Sequence, residues 1–322
     1  MAILKFINDP ADFTANTGSQ TNAAPYFDVQ RVSGWQFPLN DAFTAEWPQE
    51  AGTDLWLHFT LGYSNSGSFW DENNHMRFED FNGQLVLAAD IDSGFIQWNF
   101  YADSTTNTFI QYRTIAGARL IMDIHFVRNG TTDISCTIYV NGTFQGTITD
   151  TNAVDRGLPT TVSMTNLDSN QGGTIYFGEA VIANEDTRGW RLYQLKPTAF
   201  GVNQEWDGDA TSVVDGSLLT GISTDVLNER ASFGLSNIEN ISDSALIDRL
   251  AIQTYGQRGA SGLTSFNHYF RYDGGTIVDD ADITLALTAD MYLDEYPLNP
   301  NTSLAWEVAD IQGLQIGVRA RT

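Results

Sequence analysis

Thr137-Ile138-Tyr139-Val140-Asn141-Gly142-Thr143-Phe144-Gln145-Gly146-Thr147-Ile148 is the stretch whose reading settles the fold class. Two β-prone runs flank an Asn-Gly dipeptide, which supplies the two positive φ angles that a two-residue hairpin turn requires. Register is then nearly fixed, because a one-residue slip would move every apolar side chain to the opposite face. The stretch predicts two antiparallel strands of a half-buried sheet. Asn82-Gly83 and Asn129-Gly130 repeat the turn signal.

Outward from the hairpin, period-2 alternation prevails and helical periodicity is scarce. Leu55-Trp56-Leu57-His58-Phe59-Thr60-Leu61 sets Leu, Leu, Phe and Leu on one face and Trp, His and Thr on the other, which predicts a half-buried strand. Residues 84–88, 95–100, 120–127, 134–140 and 173–182 read as strands too. Many short strands joined by tight turns favour antiparallel sandwiches over α/β layers. The expected fold class is therefore all-β: two antiparallel β-sandwich (jelly-roll-like) domains with one short C-terminal helix.

Residues 184–197 break the strand pattern with a polar turn and a short element stopped by Pro197, so a domain junction is expected near 196–205. The expected organisation is an N-terminal arm over 1–30, a jelly roll over 31–198 and a second sandwich over 199–322. The arm is read from a segment rich in Asn, Thr and Gln with few core residues. Beyond the junction, strands are expected at 212–214, 245–255, 266–272, 282–288 and 314–318. Within 299–311, hydroxyl residues precede a short apolar run with Glu307 in its early turns, which predicts the one brief helix.

Composition excludes several function classes. The 322 residues hold 16 Lys plus Arg against 40 Asp plus Glu, a net charge of −24. Such a surface repels a phosphate backbone and an anionic bilayer alike, so neither nucleic acid nor membrane insertion is expected. Only Lys5 and Lys196 are lysines, and the remaining positive charge is guanidinium, suited to ordered bidentate contacts. Residues 1–198 and 199–322 each carry −12, which makes the charge a property of the whole surface. With 8 Trp, 19 Phe and 12 Tyr the chain is no disordered polymer. Cys136 stands alone, so no internal disulfide and no multi-cysteine zinc site can form. The opening residues have too short an apolar run for a secretory signal, and the expected history is folding in a reducing cytoplasm.

Residue chemistry points away from catalysis. A glycoside hydrolase needs two carboxylates about 5–9.5 Å apart, and none of the strands expected from the pattern carries two acids on one face. Asp90 and Asp92 fall in a turn, while Asp207-Gly208-Asp209, Asp279-Asp280-Ala281-Asp282 and Asp71-Glu72 lack calcium-loop spacing. His58, His75, His125 and His268 form no metal-ligand pair and read as hydrogen-bonded structural rings. No catalytic residue, cofactor or metal is expected. The candidate ligand-binding set is Trp70, Asp71, Asn73 and Asn74, where polar loop residues surround an aromatic pair, although core packing uses the same aromatics.

Residues 110–197, with the Asn129-Gly130 and Asn141-Gly142 turns and the strand at 174–182, resemble the back half of a concanavalin A-like (laminin G-like) jelly roll. Val181-Ile182-Ala183-Asn184-Glu185-Asp186-Thr187-Arg188-Gly189-Trp190-Arg191, followed by Pro197, Gly201 and Trp206, is similar to a junction in virion proteins of tailed bacteriophages. Asn299-Pro300-Asn301-Thr302-Ser303-Leu304-Ala305-Trp306, Asp310-Ile311 and Leu314-Gln315-Ile316-Gly317-Val318 are similar to the end of the same proteins. Residues 1–50 match no part of them. The resemblance implies a structural, non-enzymatic virion component, tail-associated or fibre-like, that folds in the host cytoplasm and assembles as an oligomer. Its partners would be other virion proteins and copies of itself, with host surface glycan as a further candidate. Head decoration and a lectin-like adsorption module remain alternatives, and a glycoside hydrolase is the weaker one. Within the junction, Asp186 and Arg188 are expected to fix the inter-domain turn by a charge-assisted hydrogen bond with Trp190 packed beneath.

Overall fold

Asn141 and Gly142 take φ angles of 50° and 74°, and Val140 pairs with Thr143 across them. The hairpin forms as its sequence requires. The computed structural model of the chain describes residues 3–7, 12–21, 34–38, 40–64, 76–92, 95–100, 108–113, 118–151, 156–165, 174–214, 220–236, 241–242 and 245–322. It divides into two compact units, Met1–Leu192 and Tyr193–Thr322.

Unit 1 is built from β1 (Ile3–Ile7), β2 (Ala15–Asn16), β3 (Ser19–Thr21), β4 (Gly34–Phe37), β5 (Ala42–Glu46), β6 (Asp54–Tyr63), β7 (Met76–Asp80) and β8 (Leu85–Asp92). There follow β9 (Phe95–Phe100), β10 (Thr108–Arg113), β11 (Arg119–Asn129), β12 (Asp133–Val140), β13 (Thr143–Asp150), β14 (Pro159–Thr165) and β15 (Ile175–Ala183). One eight-stranded sheet runs β13-β12-β11-β6-β15-β4-β3, with β1 also paired to β15. The facing seven-stranded sheet runs β10-β9-β8-β7-β14-β5-β2. Every pairing among the described strands is antiparallel, the arrangement of a β-sandwich. Rings meet across the two layers: Phe43 of β5 lies 4.7 Å from Phe177 of β15, and Phe78 of β7 lies 6.1 Å from Phe126 of β11. This interdigitation of two apolar faces supplies the main driving force for the unit.

Two expectations change here. The N-terminal arm over 1–30 is, in its described part, integral to the sandwich. Strand β1 alternates Ile3, Lys5 and Ile7 inward, pairs with β15, and buries Ile7 in the core; Phe13 joins the same core. The Lys5 ammonium group donates to the Glu46 carbonyl at 2.8 Å, which lets a lysine lie buried. Burial of three alternating side chains outweighs the polar composition of the surrounding segment. The second change concerns β6. Its expected half-buried face is in fact covered, and residues 55–62 are buried on both sides.

Unit 2 contains β16 (Pro197–Gln204), β17 (Arg230–Leu235), β18 (Leu250–Gly256), β19 (Ser265–Arg271), β20 (Ile277–Asp279), β21 (Ile283–Thr284), β22 (Asp290–Tyr296) and β23 (Gln315–Arg321). A six-stranded sheet runs β16-β17-β23-β19-β20 with β21 beside β19, and β18 pairs with β22 in a two-stranded sheet. Phe270, Tyr296, Trp306, Ile311 and Leu314 form its core, with Phe270 and Tyr296 edge to face at 4.6 Å. Gly317 is dictated by packing, since a Cβ there would come within 2.4 Å of the Tyr269 ring and 2.5 Å of the Ala231 carbonyl oxygen.

The expected strand at 212–214 is instead a 3-10 turn over Ala210–Val213, because the Asp209 carboxylate accepts from the Thr211 N–H at 3.0 Å and caps it. The strand expected over 245–255 starts only at Leu250, and the one over 282–288 is confined to Ile283–Thr284. The helix α1 (Val308–Ile311) is present, but Thr302 and Ser303 close a turn onto the Asn299 carbonyl and do not cap it. Glu307 occupies the cap position, and the Asp310 carboxylate accepts its N–H at 2.9 Å. Among the described residues no helix is long and apolar enough to cross a membrane.

Candidate functional site on the outer face of unit 1

Trp56, His58 and Thr60 alternate with the core residues of β6, so they project from the opposite face of the eight-stranded sheet. β11 and β15 flank β6, and the register sets Asp123 beside His58 on one side and Val181 on the other. His58 Nδ1 is 2.7 Å from Asp123 Oδ1, and the Thr187 hydroxyl donates to the same oxygen at 3.1 Å. Two residues further along β6, the Thr60 hydroxyl donates to Glu179 Oε2 at 2.6 Å, and the Arg119 guanidinium donates to that oxygen too. His58, Asp123 and Glu179 are each 1% exposed, and Thr60 and Thr187 are fully buried. Burying a lone charge costs several kcal/mol, so the pairing is a condition of the fold. Asp123 Oδ2, Glu179 Oε1, His58 Nε2 and Arg119 Nε are buried without a hydrogen-bond partner among the described residues, which makes the cluster sensitive to any change.

Glu179 sits at a bulge. The β15 register shifts between Gly178 and Val181, and Glu179 takes φ of 50°. A non-glycine residue held there costs about 1–3 kcal/mol and persists only where its surroundings hold it. Thr60 and Arg119 provide that hold.

Above this buried layer lies residues 184–191. Arg188 Nε donates to Asp186 Oδ1 at 2.9 Å, and Nη2 donates to Oδ2, so the pair is forked. The hydrogen bonds from Arg188 hold the Asp186 carboxyl below the usual carboxylate range. The guanidinium carbon is 4.7 Å from the Tyr139 ring centroid and 5.4 Å from that of Trp56. Trp56 in turn stacks on His125 at 4.1 Å and 10°, and His125 Nε2 is 2.9 Å from Asp54. A clasp results: Thr187 anchors the loop beneath the surface and Arg188 seals the aromatic rings from above.

The structure thus brings Asp186 and Arg188 together, with every partner named here in unit 1. Trp190 is half-buried and its N–H donates to the Thr187 carbonyl at 3.0 Å, but the rings beneath Arg188 are Trp56 and Tyr139. The loop crosses the strands that carry those rings, which explains the exchange of partners. Trp70, Asp71, Asn73 and Asn74 lie outside the described residues. Sequence reading missed Asp123 and Glu179. A single acid inside an otherwise apolar strand was the available signal, and a search for pairs along one strand overlooks acids that share a face from different strands. Among the described residues no group of three His, Cys, Asp or Glu side chains could hold a metal.

Beyond the clasp, the face continues over β12 and β13. Ser135 and Thr149 share a hydrogen bond at 3.0 Å, as do Thr137 and Thr147 at 2.9 Å. Tyr139 follows, with Phe144 edge to face at 5.9 Å and 58% exposed. Chemically, the face combines buried hydrogen-bonded polar pairs that hold shape with an open strip of hydroxyls and one exposed ring.

No protein-family profile and no curated protein matches the sequence. Several solved structures align with the chain at low identity and low TM-score. A cellulose-induced protein is 13% identical with a TM-score of 0.39, over 53% of this chain and 87% of that one. An endo-β-1,4-glucuronan lyase from the fungus Trichoderma reesei is 11% identical with a TM-score of 0.41, over 57% of this chain and 97% of that one. The binding domain of botulinum neurotoxin DC is 10% identical with a TM-score of 0.39, over 94% and 92%.

Proposed function

We propose that this chain is a structural component of a tailed-bacteriophage virion, tail-associated or fibre-like, acting by packing and binding and not by catalysis. One observation carries the reading. Residues 181–191, on which the resemblance to virion proteins chiefly rests, are built as the end of β15 and the clasp over the outer face. A run that reads as a polar turn fixed by Asp186 and Arg188 also fastens onto the buried Asp123 through Thr187. Such fastening suits a particle protein, which must keep its fold outside the cell with one cysteine and no internal cross-link. The buried carboxylates Asp123 and Glu179 support a non-catalytic role, because they lie beneath the surface, Asp123 in imidazole and hydroxyl contacts and Glu179 in guanidinium and hydroxyl contacts. Its partners on this reading are copies of itself and neighbouring virion proteins, met after folding in the host cytoplasm.

The test uses particles purified from a phage that carries the gene. Peptides of this chain should be found by mass spectrometry, and gold-labelled antibody should decorate the tail. Label on the head would replace this reading with head decoration, and absence from particles would refute both.

A further inference from the structure

We infer that the outer strip of β12 and β13 is a binding site for a neutral oligosaccharide. Its residues are Ser135, Thr137 and Tyr139 on β12 with Thr149, Thr147 and Phe144 opposite them. Four strand steps from Ser135 to Tyr139 span about 13 Å, enough for a short sugar chain laid along the strands.

The chemistry of the strip selects the ligand class. Each hydroxyl pair uses one hydrogen between its two oxygens, which leaves the second hydrogen and several lone pairs for a ligand. A sugar hydroxyl is both donor and acceptor and matches such groups in either role. At the end of the row, Phe144 presents an exposed ring steadied by Tyr139, an apolar surface for the C–H face of a pyranose. Arg188 borders the ring of Tyr139, but its charge is matched by Asp186, so the strip carries no net charge.

Charge then separates neutral from acidic sugars. The strip belongs to a chain of net charge −24 and has no unmatched cation among its own residues. A polyanionic glycan approaching within the Debye length of about 8–10 Å meets repulsion with no compensating contact. Two other occupants fit less well. A protein interface of ordinary stability centres on several buried aromatic or Arg anchors, whereas this strip offers one free ring among threonines. Edge pairing with a second copy along β13 is hindered where the Gln145 side chain donates to the Thr143 carbonyl at 2.9 Å and occupies it.

The site goes beyond the virion reading and is tested apart from it. The full chain is run in native gels containing dextran, galactomannan or mixed-linkage β-glucan, with polygalacturonate as the acidic comparator. Retardation is expected in at least one neutral polymer and not in polygalacturonate. Phe144→Ala should weaken that binding by about tenfold or more, equivalent to about 1.4 kcal/mol, with no change in melting temperature. Thr137→Val should weaken it as well. Absence of retardation in all three neutral polymers overturns the proposal, as does unaltered binding by Phe144→Ala or a preference for polygalacturonate. Particle location plays no part in these outcomes.

Discussion

Thr187 donates its hydroxyl to Asp123 across 3.1 Å, with both side chains sealed from solvent. The bond ties a loop to the strand beside the centre of the sheet, and the same carboxylate oxygen faces His58. Thr187→Val keeps the shape and removes the donor, leaving Asp123 with one partner fewer in a buried setting. Urea unfolding should show a loss of about 1–3 kcal/mol. A change within experimental error would mean that the loop is held by its other contacts alone.

The clasp above it should respond to acid. The Asp186 carboxyl is depressed below its ordinary 3.8 by the hydrogen bonds from Arg188. A depressed carboxylate contributes stability above the unfolded value and loses it as pH falls through the folded one. The contribution is therefore complete above about pH 5 and fades from about pH 4 downward. Both partners are nearly half exposed, so the effect is small and weakened by salt. In melting curves, wild type should exceed Arg188→Ala at pH 7 and the gap should narrow as pH falls below about 4, the remainder being the loss of the stacking on Trp56 and Tyr139. A gap that is constant with pH would assign the role of Arg188 to its stacking on Trp56 and Tyr139.

How far the sequence foretold these features depended on whether the information was local. The Asn141-Gly142 turn fixed its own hairpin because two residues set the backbone geometry. Leu55 to Leu61 announced a strand but not its second buried face, since what covers that face comes from β11, β15 and the 184–191 loop. Asp123 and Glu179 looked like isolated acids because their partners lie 65 and 119 residues away along the chain, at His58 and Thr60. At 212–214 the β-branched pair suggested a strand, and a single capping carboxylate at Asp209 redirected the chain into a helical turn.

Cys136 offers a check on the sandwich core. Its thiol is fully buried between Ser135 and Thr137 on the inner face of β12, and burial pushes its pKa well above the ordinary thiol value. The thiolate is the reactive form, so the native thiol should be inert. Ellman's reagent should report no free thiol in the native protein at pH 8 and one per chain in denaturant. Rapid reaction without denaturant would show that β12 opens readily from the sheet.

The last prediction concerns β1, which lies in a segment whose polar composition suggests an arm. Ile7 is 1% exposed and packs in the core of unit 1, while β1 covers the edge of β15 from Ala180 to Ala183. Ile7→Ala removes buried methyl and methylene groups and leaves a cavity, so a loss of about 2–5 kcal/mol is expected in urea unfolding. Removing residues 1–7 goes further, because it strips β15 of its partner over those positions and exposes the groups that paired with it. Hydrogen exchange should then accelerate in the C-terminal half of β15, near the bulge at Glu179. The Asp186–Arg188 clasp follows β15 directly along the chain, so the amides of Arg188 and Trp190 should exchange faster in the same variant. Unchanged exchange in β15 after truncation would return residues 1–7 to the status of a peripheral arm.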